Sequence, residues 1–420
     1  MKAISELLGG IGNCSCGKEH FCPVENVVIE RNALLSLPFL CKPYHHILLV
    51  ADENTFQACG KKAASLLTQA NVEILILHPA GEIVIPNEET IAEIESNIQL
   101  KTDLLIGVGS GVINDLCKHT SFEHHLPYFI IATAPSMDGF VSVGAALILR
   151  GMKITLNARP PKAVIADTEV LRNAPISMIR SGWGDIIGKY SCLNDWKLSA
   201  LINGEYLCQQ VWNLVNDTVH GLEGLAKAIN NRQEEAVRLL MQALIVVGIA
   251  MSYVGNSRPA SGSEHHLAHY FEITGILEDK PYFPHGVDVL YSSVITAELR
   301  EDLLLKKPSL HHFNRIEWEE NIRRIYHSSA DGILELQNRL GWYDRDDSTS
   351  LLDKWDEATE ILSQAPGKKR MLELVEQIGL NWDDFIAMYG EEKIRNGVRF
   401  AKDLKDRWTV LWLHNRYFMK

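Results

Sequence analysis

Long runs of basic residues are missing from this chain. Asp and Glu number 53 against 41 Lys and Arg, a formal charge of −12. An acidic chain without a basic stripe excludes nucleic acid as the main partner. A secretory leader is also missing: the opening MKAISELLGGIGNCSCGKEH has no apolar core followed by a cleavage site. No uninterrupted apolar run reaches the ~20 residues of a membrane span. The longest, residues 239–254 (LLMQALIVVGIAMSYV), is broken by Gln242 and reads as a buried core helix, so membrane insertion is not expected. Internal repeats and low-complexity tracts are absent too. A regular cysteine framework is lacking: of eight cysteines, Cys41, Cys59, Cys117, Cys192 and Cys208 stand singly at wide intervals. That usage suits a reduced, cytoplasmic protein. Cys14, Cys16 and Cys22 lie close together with His20 among them. They form either a small zinc site, at a spacing unlike the common ones, or a plain N-terminal loop.

What is present divides at about residue 167. Before it, short apolar runs at 47–51 (ILLVA), 72–77 (VEILIL), 104–108, 128–132 (YFIIA) and 163–166 (AVIA) alternate with helical patterns at 55–69, 88–98 and 112–120. Strands separated by helix-length segments predict βαβ units and a parallel sheet. Residues 145–149 and 154–156, joined through Arg150 and Gly151, read as a hairpin. Beyond 168 the pattern is helical, ending in a stretch with helical spacing over 391–418. The expected architecture is an α/β nucleotide-binding domain (1–167) with a parallel sheet, followed by an all-α domain (168–420).

Five segments carry candidate chemistry. Gly107-Val-Gly109-Ser-Gly111 follows an apolar strand and opens a helix bearing Asp115 and Lys118. Glycines let backbone approach a pyrophosphate at a helix N-terminus, although tight turns need glycine as well. Asp52 ends the strand ILLVA, as a ribose acceptor or as a cap. The loop Thr133-Ala-Pro-Ser-Met-Asp138-Gly139 offers short polar groups at a sheet's carboxyl edge, for a ligand or for a turn. Asp185 and Lys189, four apart in GWGDIIGK, share a helix face and would form an ion pair on their own. In SGSEHHLAH, His265 and His269 also share a face, and His285 follows in Pro-His-Gly. Three histidines with an upstream carboxylate make the usual donor set of a catalytic zinc or related ion.

At these residues the sequence resembles the superfamily of iron-containing alcohol dehydrogenases, glycerol dehydrogenases and dehydroquinate synthases, and within it the sn-glycerol-1-phosphate dehydrogenases. The likeness spans about residues 25–290 and, more weakly, the tail around 400–413. TAPSMDG and SGSEHH are its more specific marks. It implies a metal-dependent, NAD(P)H-linked oxidoreductase of phospholipid metabolism, interconverting dihydroxyacetone phosphate and sn-glycerol 1-phosphate, and a homodimer or larger homo-oligomer. Asp185, His265 and His285 correspond to the metal ligands. Asp52, Gly109, Ser110, Gly111, Val112, Ile113, Asn114, Asp115, Thr133, Ala134, Pro135, Ser136 and Ser142 correspond to cofactor contacts. Asp138 and Asp185 match residues near the substrate, and His269 matches the histidine facing the nicotinamide, a candidate proton relay. Val112 stands where many relatives carry a hydroxyl, leaving only backbone for the phosphate there. Lys189 stands where iron-type enzymes place a fourth ligand, which favours zinc, with nickel as the alternative. A dianionic substrate on an acidic protein needs a local cation. Arg258, in the loop before His265, is the first candidate for the phosphate, with Lys153 and Lys189 behind it. Glycerol dehydrogenases, dehydroquinate-synthase-like cyclases and non-catalytic nucleotide or metal sensors are the competing readings.

Overall fold

The structure, a computed structural model, describes residues 2–78, 84–149, 152–306, 308–309, 313–345 and 348–417. Eight strands are formed: β1 (Asn26–Glu30), β2 (His46–Asp52), β3 (Asn71–Leu77), β4 (Leu104–Gly109), β5 (Tyr128–Ala132), β6 (Gly144–Leu149), β7 (Met152–Asn157) and β8 (Ala163–Asp167). Six of them make a sheet in the order β1-β8-β5-β4-β2-β3, parallel throughout. The near-continuous apolar runs of β2, β4, β5 and β8 follow from this, because a parallel sheet is covered on both faces. Leu49, Val50, Leu104, Leu105, Ile106, Ile130 and Val164 are fully buried. Chain order reverses between β2, which pairs outward with β3, and β4, which leads toward β5. The carboxyl ends of β2 and β4 therefore flank a topological switch point, where open α/β sheets bind ligands. β6 and β7 form the expected antiparallel hairpin; its turn at Arg150 and Gly151 lies outside the described residues.

Some expectations are corrected. β1 was not expected; its NVVIE is short and only partly covered, sitting at the sheet edge beside β8. The helix expected over 55–69 forms over 53–66, three residues shorter at its end, and carries a π-helical stretch, Phe56–Gly60, between Glu53–Thr55 and Lys61–Leu66. The terminal helical stretch is not continuous either. A helix with a kink at Gly390 (φ +70°) ends at Phe400, a tight turn follows, and a second helix covers Val410–Tyr417.

Contacts divide the chain into two compact units, Met1–Ile186 with His220–Ser257, and Ile187–Val219 with Arg258–Lys420. Two helices, Ile176–Asn203 and Gln209–Glu223, run across the division and belong to both. The expected boundary at 167/168 marks where strands stop. The compact unit around the sheet extends further, because the helix Glu234–Val254 returns to it: Ser252 Oγ donates to the Val141 carbonyl at 2.8 Å, and Glu234 pairs with Arg31. This helix is long and apolar enough to cross a membrane, yet 72% of its apolar window is buried inside the protein. It is a core helix, capped by Gly255 at φ +77°. The second unit is helical throughout its described residues.

Candidate active site

The glycine loop closes β4 and opens the helix Gly111–Glu123. Ser110 occupies the N-cap but its side chain makes no capping bond to the helix. Its hydroxyl pairs instead with that of Ser136, from the loop after β5. The first-turn N–H groups of Gly111, Val112 and Ile113 thus keep their donors for a ligand, and a helix N-terminus adds partial positive charge. Val112 is 37% exposed, so backbone at this turn is approachable. Gly109 has no room for a side chain; a Cβ would lie 2.5 Å from that of Ile113.

The loop after β5 is tied on several sides. Thr133 N–H donates to the Gly109 carbonyl at 3.0 Å, linking the two loops. Ser181 Oγ donates to the Ser136 carbonyl at 3.0 Å, and Asp138 N–H donates to Asp185 Oδ2 at 2.9 Å. The helix Ile176–Asn203 passes so close that a Cβ at Gly182 would sit 1.8 Å from the Pro135 carbonyl oxygen. Lys118, which the sequence reading left without a role, is fully buried beneath this loop. Its Nζ donates to the carbonyls of Gly139 (2.6 Å) and Gly144 (3.0 Å) and to Ser142 Oγ (3.1 Å), and meets Asp115 Oδ1 at 3.3 Å. Burial pushes its pKa down, and Asp115 works against that shift. Asp115 also accepts from Ala146 N–H at 3.1 Å, so it anchors the hairpin. Ser142, expected as a cofactor contact, spends its hydroxyl on Lys118 and on the Gly139 and Gly144 carbonyls. Asp52 caps the short helix after β2, accepting from Thr55 N–H at 2.7 Å. That is the cap reading, although a carboxylate retains further lone pairs for a ribose.

In the helical unit, three histidine rings gather. The His265–His285 centroids are 5.2 Å apart, His269–His285 5.3 Å and His265–His269 6.3 Å. His265 lies in the first turn of the helix Ser263–Leu277, whose N-terminus is held by Asp195 Oδ2 accepting from Ser263 N–H at 2.7 Å. His285 opens the helix His285–Leu304 directly after Pro284. Glu264, fully buried, meets His265 Nδ1 at 2.6 Å and accepts from Gly262 N–H at 2.9 Å. Burial works to raise the Glu264 pKa, but the His265 bond and charge, the Gly262 N–H and Lys189 hold it below the ordinary value. Sequence reasoning gave Glu264 no role; its only signal was adjacency to His265. With Nδ1 on the carboxylate, Nε2 of His265 is left as the metal-facing atom, the arrangement of a carboxylate–histidine–metal triad.

Asp185 is fully buried on the helix that enters this unit. One turn later Gly188 lies against the histidine helices, where a Cβ would come within 2.4 Å of Val289 Cγ1 and 3.4 Å of Glu264 Cγ. One ligand atom each from Asp185, His265 and His285 lies within 4.8 Å of the others. A carboxylate and two imidazoles, each of Asp185 and His265 steadied by a second partner, fit a three-ligand divalent ion with an open position. His266, the neighbouring histidine, is fully buried, and burial drives its pKa well down; it is a core residue.

The phosphate candidates fare differently. Arg258 is 2% exposed, and its Nη2 donates to Glu205 Oε2 (2.8 Å), the Trp408 carbonyl (2.9 Å) and the Asp195 carbonyl (3.3 Å). These bonds fall on Nη2, so Arg258 is anchored at one nitrogen of its fork. Lys189 is fully buried one turn after Asp185. Lys153 lies on β7, and its side chain is outside what is described.

A profile for iron-containing alcohol dehydrogenase matches residues 28–175. The glycerol-1-phosphate dehydrogenase [NAD(P)+] of Bacillus licheniformis is 30% identical over 420 residues, covering 99% of this chain and 94% of its own. That of Halalkalibacterium halodurans is 35% identical over 70% of this chain and 75% of its own. Among solved structures, sulfoacetaldehyde reductase from Bifidobacterium kashiwanohense in complex with NAD+ superposes with a TM-score of 0.59 at 14% identity, over 91% of this chain and 92% of its own. A probable glycerol dehydrogenase from Sinorhizobium meliloti gives 0.58 at 15% identity, over 90% and 89%. At such identities the structures speak for the fold alone, whereas the Bacillus licheniformis relative spans nearly the whole chain. This chain therefore belongs to the glycerol-1-phosphate dehydrogenase [NAD(P)+] family, on the fold of the iron-containing alcohol dehydrogenases, and is an NAD(P)-linked oxidoreductase.

Proposed function

We propose that this enzyme reduces dihydroxyacetone phosphate to sn-glycerol 1-phosphate, and runs the reverse reaction, at a divalent ion held by Asp185, His265 and His285. Zinc is the ion proposed, with nickel the alternative. The observation that carries the reading is that trio, with ligand atoms within 4.8 Å of one another. When bound, such an ion supplies Lewis acidity toward a ketone oxygen, and the nicotinamide supplies hydride. The chain does the rest. Glu264 fixes the tautomer and direction of His265, and the Asp138 N–H fixes one oxygen of Asp185. The uncapped helix N-terminus at Gly111, Val112 and Ile113 receives the pyrophosphate through backbone donors. Thr133, Ala134, Pro135 and Ser136 border the same switch point, and Asp52 stands at its other flank for the adenosine ribose. His269 moves a proton to or from the substrate oxygen, within the ring cluster of His265 and His285. Arg258, anchored through its Nη2, is proposed for the phosphate, with Lys153 and Lys189 behind it. Single, widely spaced cysteines at Cys41, Cys59, Cys117 and Cys192 accord with a cytoplasmic location.

The test is steady-state oxidation of NADH with zinc or nickel present, comparing dihydroxyacetone phosphate with unphosphorylated dihydroxyacetone. The expected result is a kcat/KM at least tenfold higher for the phosphate, as one or two charge-assisted hydrogen bonds provide. Equal efficiency would overturn the phosphate reading in favour of glycerol dehydrogenation.

A further inference from the structure

The N-terminal loop has a composition that does not bury itself. Gly12, Asn13, Ser15, Gly17, Lys18 and Glu19 are exposed, whereas Cys14 and His20 turn inward and are buried. The loop is closed by paired backbone bonds between Ile11 and His20 (2.9 and 3.0 Å) and by Gly17 N–H donating to the Cys14 carbonyl at 2.9 Å. Gly17 takes φ +81°, which makes the turn after Cys16 tight. Gly10, at φ +77°, could not carry a side chain; its Cβ would lie 2.3 Å from the His20 carbonyl oxygen. So the backbone is arranged to aim three side chains, from a segment with few apolar residues, at one point. Segments too small for a core are usually held by a disulfide or an ion, and no disulfide is formed here.

The direction of His20 identifies which staple is used. Its Nδ1 lies 2.8 Å from the Tyr253 carbonyl oxygen. A carbonyl only accepts, so the proton is on Nδ1 and the lone pair is on Nε2. That Nε2 faces Cys16 Sγ at 3.3 Å. Metal-binding histidines are oriented in this manner, by a second-partner bond from the non-ligating nitrogen. With Zn–S of ~2.3 Å and Zn–N of ~2.0 Å, a tetrahedral ion places its sulfur and nitrogen ligands roughly 3.5 Å apart. The spacing of Cys16 and His20 already matches.

The fourth donor is one the sequence did not suggest. Cys14, Cys16, His20 and Cys208 each place a ligand atom within 4.8 Å of the other three. Cys208 is fully buried and directly precedes the helix Gln209–Glu223. Cys22, which the spacing had grouped with the others, points elsewhere: it is buried, interacts with Ser252 and the backbone of Val24, and its pKa is pushed up by burial. Three thiols and an imidazole, with no carboxylate among them, form a soft donor set suited to zinc.

We propose that Cys14, Cys16, His20 and Cys208 bind a second zinc ion, a closed four-ligand structural site distinct from the Asp185, His265 and His285 centre. Binding replaces three S–H protons by metal–sulfur bonds, releasing those protons to solvent with no change of oxidation state. The ion staples the N-terminal loop to the residue that starts the helix Gln209–Glu223.

The test uses the full chain loaded with cobalt in place of zinc. A thiolate site gives a near-ultraviolet sulfur-to-cobalt charge-transfer band that a carboxylate–histidine site lacks. The band is expected in the wild type and in Asp185→Asn, unchanged in Cys22→Ser, weakened in Cys208→Ser, and lost when Cys14, Cys16 and Cys208 are all replaced by serine. Its absence from the wild type, its weakening in Cys22→Ser, or its full intensity in Cys208→Ser would overturn the proposal. A second measurement removes any dependence on the folding of variants. Maleimide labelling of the wild type, mapped by mass spectrometry, should spare Cys14, Cys16 and Cys208 with zinc bound. Labelling of Cys16 should rise at least tenfold once a strong chelator has removed the ion. Labelling indifferent to zinc refutes the site. Neither readout depends on the substrate of the enzyme, so failure here leaves the dehydrogenase reading untouched, and failure of that reading leaves this one standing.

Discussion

The two donor clusters of this molecule are built on opposite principles. One draws a carboxylate and two imidazoles from three helices, with Glu264 and the Asp138 N–H steadying the ligands from behind. The other draws thiols and one imidazole from a loop and the start of a helix, with the Tyr253 carbonyl behind His20. Three hard-to-borderline donors leave a coordination position for substrate oxygen; three soft thiolates with a fourth, imidazole donor leave none. A cluster's chemistry is thus readable from its donor types and their number, before any ion is seen. The supporting shells differ for the same reason. A site that turns over substrate needs ligands held in direction, and it buries a charged group to do so. A staple needs only closure.

The difference can be broken experimentally, starting where the effect is largest. A moderate chelator should strip the Asp185 centre and abolish NADH oxidation, with activity returning when zinc or nickel is added back. The thiolate site should keep its ion under the same dialysis, as elemental analysis would record. Activity surviving removal of all metal contradicts the mechanism. Next, Asp185→Asn or His285→Ala should remove one equivalent of metal and lower kcat/KM by more than the ~10–100-fold typical of an outer partner. Full occupancy in both variants would dismiss the trio.

Smaller effects sharpen the comparison. Glu264→Gln keeps the shape but loses the charge behind His265, so zinc affinity at that centre should fall by about 10–100-fold, measured by competition with a chromophoric chelator. An unchanged affinity would reduce Glu264 to packing. Arg258→Ala should lower the denaturant midpoint, since the Nη2 bonds to Glu205 and to the Asp195 and Trp408 carbonyls are lost. It should also lower the ratio of kcat/KM for phosphorylated over free substrate by on the order of tenfold, as one charge-assisted hydrogen bond provides; an unchanged ratio would leave Arg258 a structural cation. Smallest is Asp52→Ala, expected to narrow a preference for NADH over NADPH by a few-fold at ~10 Å screening length. No change in that preference leaves Asp52 a cap alone.

How much of this was legible beforehand depends on the range of each signal. The strands β2, β4, β5 and β8 announce themselves because a twice-covered strand must be apolar throughout. β1 escaped since NVVIE is short and half exposed at an edge. The helix at 55–69 had the right spacing, but periodicity does not report the widened turn at Phe56–Gly60. His265 and His285 stood out by residue type near glycine and proline, whereas Asp185 read as an ion-pair partner of Lys189 and took its ligand role from the family resemblance. The partners that decide their neighbours' roles did not stand out. Glu205 is 53 residues from Arg258 and holds one nitrogen of the fork that the sequence offers to a phosphate. Cys208 is far from Cys14 in the chain and looked like an isolated thiol, while Cys22, near in sequence, was grouped with a cluster it does not join. Local spacing finds the donors that share a turn; only the fold finds the one that closes the site.

The most direct measurement of the central claim is an anomalous difference map from crystals of the full chain grown with zinc, recorded on both sides of the zinc edge. The account predicts two peaks, one bounded by Asp185, His265 and His285 and one by Cys14, Cys16, His20 and Cys208. A map with no peak at Asp185, His265 and His285, in crystals of enzyme that oxidises NADH with dihydroxyacetone phosphate, would contradict it.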